Sequence, residues 1–235
     1  YTGWRIALCL RRGHADLPMP VPKMNLFGST DDLREQIAFI QSTFPSSTLY
    51  AVGSSAGTGL LVRYLGEEGS QTPFKAPFYS KVMTKKLFKK FIFPYQQTWQ
   101  QTASVSQVLM TKTLAEFESS YYEMAGYVNY DSYKQATNPI YVFENVTIPL
   151  LILNAEDDPV CHIKNFEPYK DMIRQMPNIA VVTTKKGSHC GFYEGVLNTE
   201  SWATKLIADF LKLEHQKTLK KDLQQCRSFL IGSAV

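Results

Sequence analysis

Gly53-Ser54-Ser55-Ala56-Gly57 sets a serine at the centre of a G-x-S-x-G run, directly after the apolar stretch Thr48-Leu49-Tyr50-Ala51-Val52 and ahead of helix-forming residues. The flanks matter more than the letters. A strand that turns at once into a helix needs glycine where a side chain would clash, and the turn lifts the serine hydroxyl above the sheet end. The N–H of Ala56 then faces the place where a negative oxygen would develop. A phosphate-binding turn and a chance Gly/Ser-rich turn are the competing readings. The flanks and the downstream partners favour a nucleophile at Ser55.

A serine hydroxyl needs a base, and the base needs an acid to orient it. Asn154-Ala155-Glu156-Asp157-Asp158-Pro159 follows the apolar run Ile148-Pro149-Leu150-Leu151-Ile152-Leu153, so Asp157 and Asp158 compete for the acid's place. Asp158 is preferred because it immediately precedes the residue that turns the chain away, and Asp157 is expected to cap the turn. An acid before proline is also ordinary turn chemistry. Of four histidines, His189 lies in Lys186-Gly187-Ser188-His189-Cys190-Gly191-Phe192, beyond another apolar run and before the last helix. His14 sits in an early Arg-Gly-His loop, His162 close to the acid loop, and His215 on a charged helix end. The order serine, acid, histidine makes His189 the expected base. A cysteine nucleophile at Cys190 has no suitable partner in sequence.

These side chains need a scaffold that delivers them to one edge. Apolar runs at 4–10, 48–53, 148–153 and 179–183 read as strands. Helical patterns cover 30–43, 55–66, 164–175 and 198–213. Strands alternating with helices imply an α/β domain with a mostly parallel sheet covered on both faces. Gly28-Ser29-Thr30 before Asp31 and Asp32 opens the first helix with a hydroxyl cap and two acids at the positive dipole end. From Gln71 to Asn145 the chain is aromatic and helix-forming without a clear buried strand, and is expected to be a helical cap. Phe117, Tyr121, Tyr122, Tyr127, Tyr130 and Tyr133 read as the core of that cap. The stretch 216–235 is left as a tail.

The chain has 235 residues, enough for one domain, with 44% hydrophobic and 20% charged residues. The net charge of +4 is too small to argue for nucleic acid. No run reaches the roughly 18 apolar residues of a membrane span. Cys9, Cys161, Cys190 and Cys226 are scattered, with no C-x-x-C pair, which fits neither a disulfide scaffold nor a zinc site and points to a reducing compartment. Asn145-Val146-Thr147 matches a sequon that recurs by chance. The opening at Tyr1, running straight into an apolar run, suggests that an N-terminal part is absent. Lys75, Lys81, Lys85, Lys86, Lys89 and Lys90 fall within 75–93 with no acid among them, and Met83, Leu87, Phe88, Phe91 and Ile92 recur at helical spacing. Such a helix can rest on an anionic lipid surface. Packing of its apolar face on the body is the favoured reading. No cofactor or metal is called for, and the compartment stays open between membrane-associated and cytoplasmic.

Together these stretches resemble one branch of the α/β-hydrolase superfamily, the YheT-like group that includes the abhydrolase-domain proteins one and three. The resemblance rests on Gly3-Trp4-Arg5 with Arg12-Gly13-His14, on Gly28-Ser29-Thr30-Asp31-Asp32-Leu33, and on the block Tyr50–Gly57 running into Leu60–Gly66. It continues in Pro149–Pro159 and Gly187–Phe192, and reaches to about residue 213. It implies hydrolysis of carboxylic esters through Ser55, Asp158 and His189. Acylglycerols, phospholipids or medium-chain esters are the implied substrates, and an acyl-enzyme can also transfer to an alcohol. A catalytically impaired lipid- or protein-binding member is the alternative. Relatives of this branch carry an upstream strand ending in a His-Gly turn that supplies a second oxyanion donor, and a strand soon after the nucleophile helix. Thr72-Pro73-Phe74-Lys75-Ala76 runs straight into Pro77-Phe78-Tyr79-Ser80, so the second of these strands is expected to be missing.

Overall fold

Successive residues of one strand, Leu150–Ala155, point into two different cores, and this alternation organises the domain. A computed structural model describes residues 2–13, 15, 23, 27–80, 99, 105–111, 114–195 and 200–232. Leu150 and Ile152 pack with Leu33, Ile37, Leu61, Leu65 and Phe74. Leu151, Leu153 and Ala155 pack on the opposite face with Phe192 and Ala203. A strand apolar on both faces belongs inside a parallel sheet covered on both sides. That is the architecture found.

The described elements run α1 (Thr30–Thr43), β1 (Leu49–Ser54), α2 (Ala56–Glu68), β2 (Phe74–Ser80), α3 (Val105–Met110), α4 (Leu114–Ser120), α5 (Tyr130–Thr137), β3 (Leu150–Ala155), α6 (Lys170–Arg174), β4 (Ile179–Thr184) and α7 (Trp202–Gly232). The four strands lie in chain order, β1-β2-β3-β4, and every pair is parallel. Helices α1 and α2 cover one face and α7 the other. The first pair is also clamped by charge. Arg34 donates to Glu67 and Glu68 on α2, each at 2.8 Å, and to Asp31 at 2.9 Å. Ser29 is the N-cap of α1, although its hydroxyl makes no capping bond.

Four expectations are corrected. The strand expected to be missing after the helix that follows Ser55 is present. It is β2, built from the stretch that reads as a deletion, so the inserted region begins after Ser80 rather than at 71. Pro77 disguises it: proline has no N–H for a ladder and is rare in inner strands. The chain accommodates it with a bulge, because Leu49 pairs with Phe74 while Ala51 pairs with Pro77, leaving one extra residue on β2. Pairing with β3 is then restricted to Phe78 with Leu151 and Tyr79 with Ile152.

Residues 4–10 form no strand. Strand structure is a property of a pair, and no described strand runs alongside, so Ile6 and Leu8 stay 87% and 80% exposed. The segment is held by rings instead: Trp4 stacks on Tyr50 at 5.1 Å, and the Arg5 guanidinium lies over Phe44 at 4.2 Å. The helix expected over 164–175 is broken into two single turns and the short α6, because Pro168 cannot continue a helix already in progress. The last helix starts at Trp202 and absorbs most of the tail, since no glycine or proline interrupts it before Gly232.

Between β2 and β3 a separate core forms from Trp99, Val105, Val108, Phe117, Tyr121, Met124 and Tyr133. The aromatic residues expected to pack together do so here, and Tyr133 donates to Tyr121 at 3.3 Å. Of the basic segment 75–93, Lys81 to Phe93 lie outside the described residues. No helix among those described is long and apolar enough to cross a membrane.

Gly66 on α2 marks where the helix meets the chain leading to β3. A Cβ there would run into the carbonyl of Val142. Alanine gains about 1 kcal/mol of helix propensity over glycine, but a clash against backbone costs about 1–3 kcal/mol. Gly66→Ala should therefore lower stability by about 1 kcal/mol, read as a lower urea midpoint.

Candidate active site

Three loops at the carboxyl ends of parallel strands make the site, which is where open α/β sheets present their ligands. Ser55 leaves β1, Asp158 follows β3 and His189 follows β4. Ser55 sits at φ 59° and ψ −127°, a conformation that L-residues rarely adopt and that persists only where the surroundings enforce it. Gly53 is part of the enforcement, because a Cβ there would lie 2.9 Å from the Gly57 carbonyl and from Thr58 Cα. A Cβ on Gly57 meets nothing within 4 Å. The first glycine of the run is thus required by close approach of the backbone, and the second is not required by any described neighbour. Ala56 is the first residue of α2, so its N–H has no intrahelical partner and is available at the positive end of the helix.

Asp158 is 5% exposed and fully engaged. Its Oδ1 accepts from the N–H groups of Val160 at 2.8 Å and Cys161 at 2.9 Å. His189 Nδ1 lies 2.9 Å from Oδ1 and 2.8 Å from Oδ2. Burial by itself raises the pKa of this carboxyl, yet the two backbone donors and the imidazole outweigh it and hold the group below its ordinary value. An ionised Asp158 favours the tautomer with hydrogen on Nδ1, which leaves Nε2 as a lone-pair acceptor.

The histidine loop is shaped for this contact. Gly187 accepts the N–H of Gly191 at 2.7 Å, closing the turn. A Cβ on Gly187 would lie 2.5 Å from the Phe192 ring, so Phe192 packs under the loop only because residue 187 is glycine. Asp157 does something the sequence reading missed. Its Oδ1 accepts from the Ser188 N–H at 2.7 Å, fastening the histidine loop to the acid loop where a cap on its own turn was expected. The contact joins residues 31 apart in sequence, and nothing in local spacing announces it.

The structure therefore brings Asp158 and His189 together. Ser55 Oγ and His189 Nε2 are both buried, and neither has a hydrogen-bond partner among the described residues; the bond between serine and imidazole is not formed. Strand spacing explains why it is the demanding contact: β1 and β4 are three strands apart, about 14 Å, and the histidine loop must span back across that width. The other described histidines are engaged elsewhere. His162 Nδ1 accepts the Lys164 N–H, and His215 lies 2.9 Å from the Tyr50 hydroxyl near the start of β1. His14 lies outside the described residues.

No protein-family model matches the chain. Among curated proteins it is similar to the human phospholipase ABHD3, 30% identical over 222 residues that cover 85% of this chain and 54% of that protein. It is similar also to human protein ABHD15, at 26% over 77% of this chain and 43% of the relative. The medium-chain fatty acid ethyl ester synthase/esterase 2 of Saccharomyces cerevisiae is 27% identical, over 79% of this chain and 51% of its own length. Among solved structures, an esterase from Exiguobacterium antarcticum aligns with a TM-score of 0.45 at 13% identity, over 86% of this chain and 77% of that one. With the parallel sheet and the strained serine turn, these sequence relatives establish that the chain is a member of the α/β-hydrolase superfamily. It spans about half the length of the curated relatives it matches.

The depressed pKa of Asp158 has a thermodynamic consequence. A carboxyl whose native pKa lies below its unfolded value of about 3.9 stabilises the fold above that pH and loses the contribution as pH falls through the native value. Asp158→Asn should cost about 2 kcal/mol at pH 7. The gap between variant and parent in urea denaturation should then narrow steadily below about pH 4.

Proposed function

We propose that this chain is a serine carboxylic-ester hydrolase acting on acyl lipids or medium-chain esters. Ser55 is the nucleophile, His189 the general base and acid, Asp158 the orienting carboxylate and the Ala56 N–H an oxyanion donor. The observation that carries the reading is the Asp158–His189 pair at 2.8 Å, at the same sheet end as a serine held in strained geometry. The relatives add the substrate class: their names describe a phospholipase, a monoacylglycerol lipase and an ester synthase/esterase.

In this reading His189 Nε2 takes the Ser55 proton as Oγ attacks the ester carbonyl. Charge on the former carbonyl oxygen is met by the Ala56 N–H, and the imidazolium is stabilised by Asp158. Collapse of the tetrahedral adduct breaks the bond to the alcohol, which leaves with the proton from Nε2. Water, deprotonated by the same nitrogen, then releases the acid and restores Ser55. An alcohol in place of water gives transesterification on the same groups. On lipid substrates, the six lysines of 75–93 would also let the chain rest on an anionic lipid surface, a part of the reading supported by sequence alone.

The unformed bond between Ser55 Oγ and His189 Nε2 favours a second reading, a hydrolase fold that binds acyl lipid without turning it over. Catalytic hydrogen bonds are often loose before substrate binds, so function has to decide. A fluorophosphonate probe should label the chain at Ser55 and not label Ser55→Ala. Medium-chain p-nitrophenyl esters should be hydrolysed at rates that fall by at least about 10³-fold in that variant. No labelling of a folded chain would establish the binding reading instead. Added ethanol divides products between acid and ethyl ester, and a product that is mainly ester would assign the acyltransferase variant.

A further inference from the structure

Cys161 is a third potential ligand beside the Asp158–His189 pair, and the proposed reaction gives it no part. It lies one turn beyond the acid, and its N–H is already bonded to Asp158 Oδ1 at 2.9 Å, so its position is fixed relative to the carboxylate. One ligand atom each from Asp158, Cys161 and His189 lie within 4.8 Å of one another, Asp158 buried and the other two half-buried. Among the described residues no other trio of histidine, cysteine and acid is so arranged.

We propose that Asp158, Cys161 and His189 form a reversible site for one thiophilic divalent cation of the zinc type, and that the bound ion switches the serine chemistry off. Carboxylate, thiolate and imidazole are the three donors zinc prefers. Tetrahedral bonds of about 2.0–2.3 Å place ligand atoms about 3.3–3.8 Å apart. The Asp158–His189 pair at 2.8 Å opens by about 1 Å at most to reach that spacing, and the sulfur, within 4.8 Å of both, closes by about 1.5 Å at most. Side-chain rotation covers both movements. A fourth position remains for water.

The switch follows from how protons sit on imidazole. With hydrogen on Nδ1, Nε2 can accept from a serine. When Nδ1 binds the cation its hydrogen must leave, and the neutral ring carries it on Nε2 instead. That nitrogen then holds a proton and cannot take another from Ser55. The cation thus removes the base without touching the nucleophile. The balance is one cation bound and one proton released, the proton being that of the Cys161 thiol; the imidazole proton only moves from Nδ1 to Nε2. This inference rests on the reading of His189 as the base, but the site itself does not require it.

The test uses the full 235-residue chain with Zn²⁺ and Co²⁺ as probes. Co²⁺ should give thiolate-to-metal charge-transfer absorption at one ion per chain, absent in Cys161→Ser and in Cys161→Ala and retained in Cys9→Ser. Zn²⁺ affinity, measured against a chromophoric chelator, should fall at least tenfold in both Cys161 variants. Nitrogen NMR of the His189 ring should show hydrogen moving to Nε2 on Zn²⁺ addition. Fluorophosphonate labelling should fall with the same Zn²⁺ midpoint, return on adding EDTA, and need at least tenfold more Zn²⁺ in Cys161→Ser. Equal Zn²⁺ affinity in the Cys161 variants, or a Co²⁺ spectrum without thiolate absorption, overturns the site. Stoichiometric binding that leaves the Nε2 proton and the labelling unaltered overturns the switch. A chain that never labels sinks the hydrolase reading alone, because the spectrum, affinity and ring resonances still decide the metal site.

Discussion

The turn between β1 and α2 constrains the rest of the molecule. Ser55 is held at a positive φ, and backbone atoms of Gly57 and Thr58 lie within about three ångströms of where a Cβ on residue 53 would stand. Strain of this kind persists only if the strand before and the helix after are both anchored. The anchoring is visible in α2, where Leu61, Val62 and Leu65 are buried against the sheet, and in the Arg34 bonds that fasten α1 to the far end of the same helix. The hydroxyl is positioned by packing far larger than itself.

Asp158 and His189 are positioned by a different principle. Their loops are joined to each other: Asp158 to His189, and Asp157 to the Ser188 N–H. Two adjacent acids thus hold two adjacent residues of the opposing loop. Asp158 is kept ionised by backbone N–H groups of its own turn, so the imidazole meets a carboxylate whose charge is already compensated. The acid loop and the histidine loop form one unit, built on β3 and β4, which pair over six residues.

Much of this was legible in the sequence. Ser55, Asp158 and His189 sit in short motifs whose flanking strands and helices are written in the same few residues, and parallel order alone delivers them to one sheet end. The failures have physical causes. Residues 4–10 have the composition of a strand, but composition says nothing about whether a neighbour is present to pair. Phe74–Ser80 has the opposite problem, since Pro77 reads as a breaker and only a non-local bulge against Leu49 and Ala51 makes room for it. Pro168 was readable and did break its helix. The bond from Asp157 and the approach of Cys161 to Asp158 and His189 were not readable, because a search for paired cysteines overlooks a thiol whose neighbours are set only by folding.

The bulge at Pro77 divides the sheet unevenly. On one side β1 and β2 share five register pairs, on the other β3 and β4 share six, and only two join β2 to β3. Ser55 belongs to the first half, Asp158 and His189 to the second. The sheet is therefore stitched most lightly along the line that separates Ser55 from Asp158 and His189, and partial opening follows the weakest cooperative boundary. A breathing motion along that line would change the separation of Ser55 and His189 while leaving the strained turn and the Asp158–His189 pair each intact.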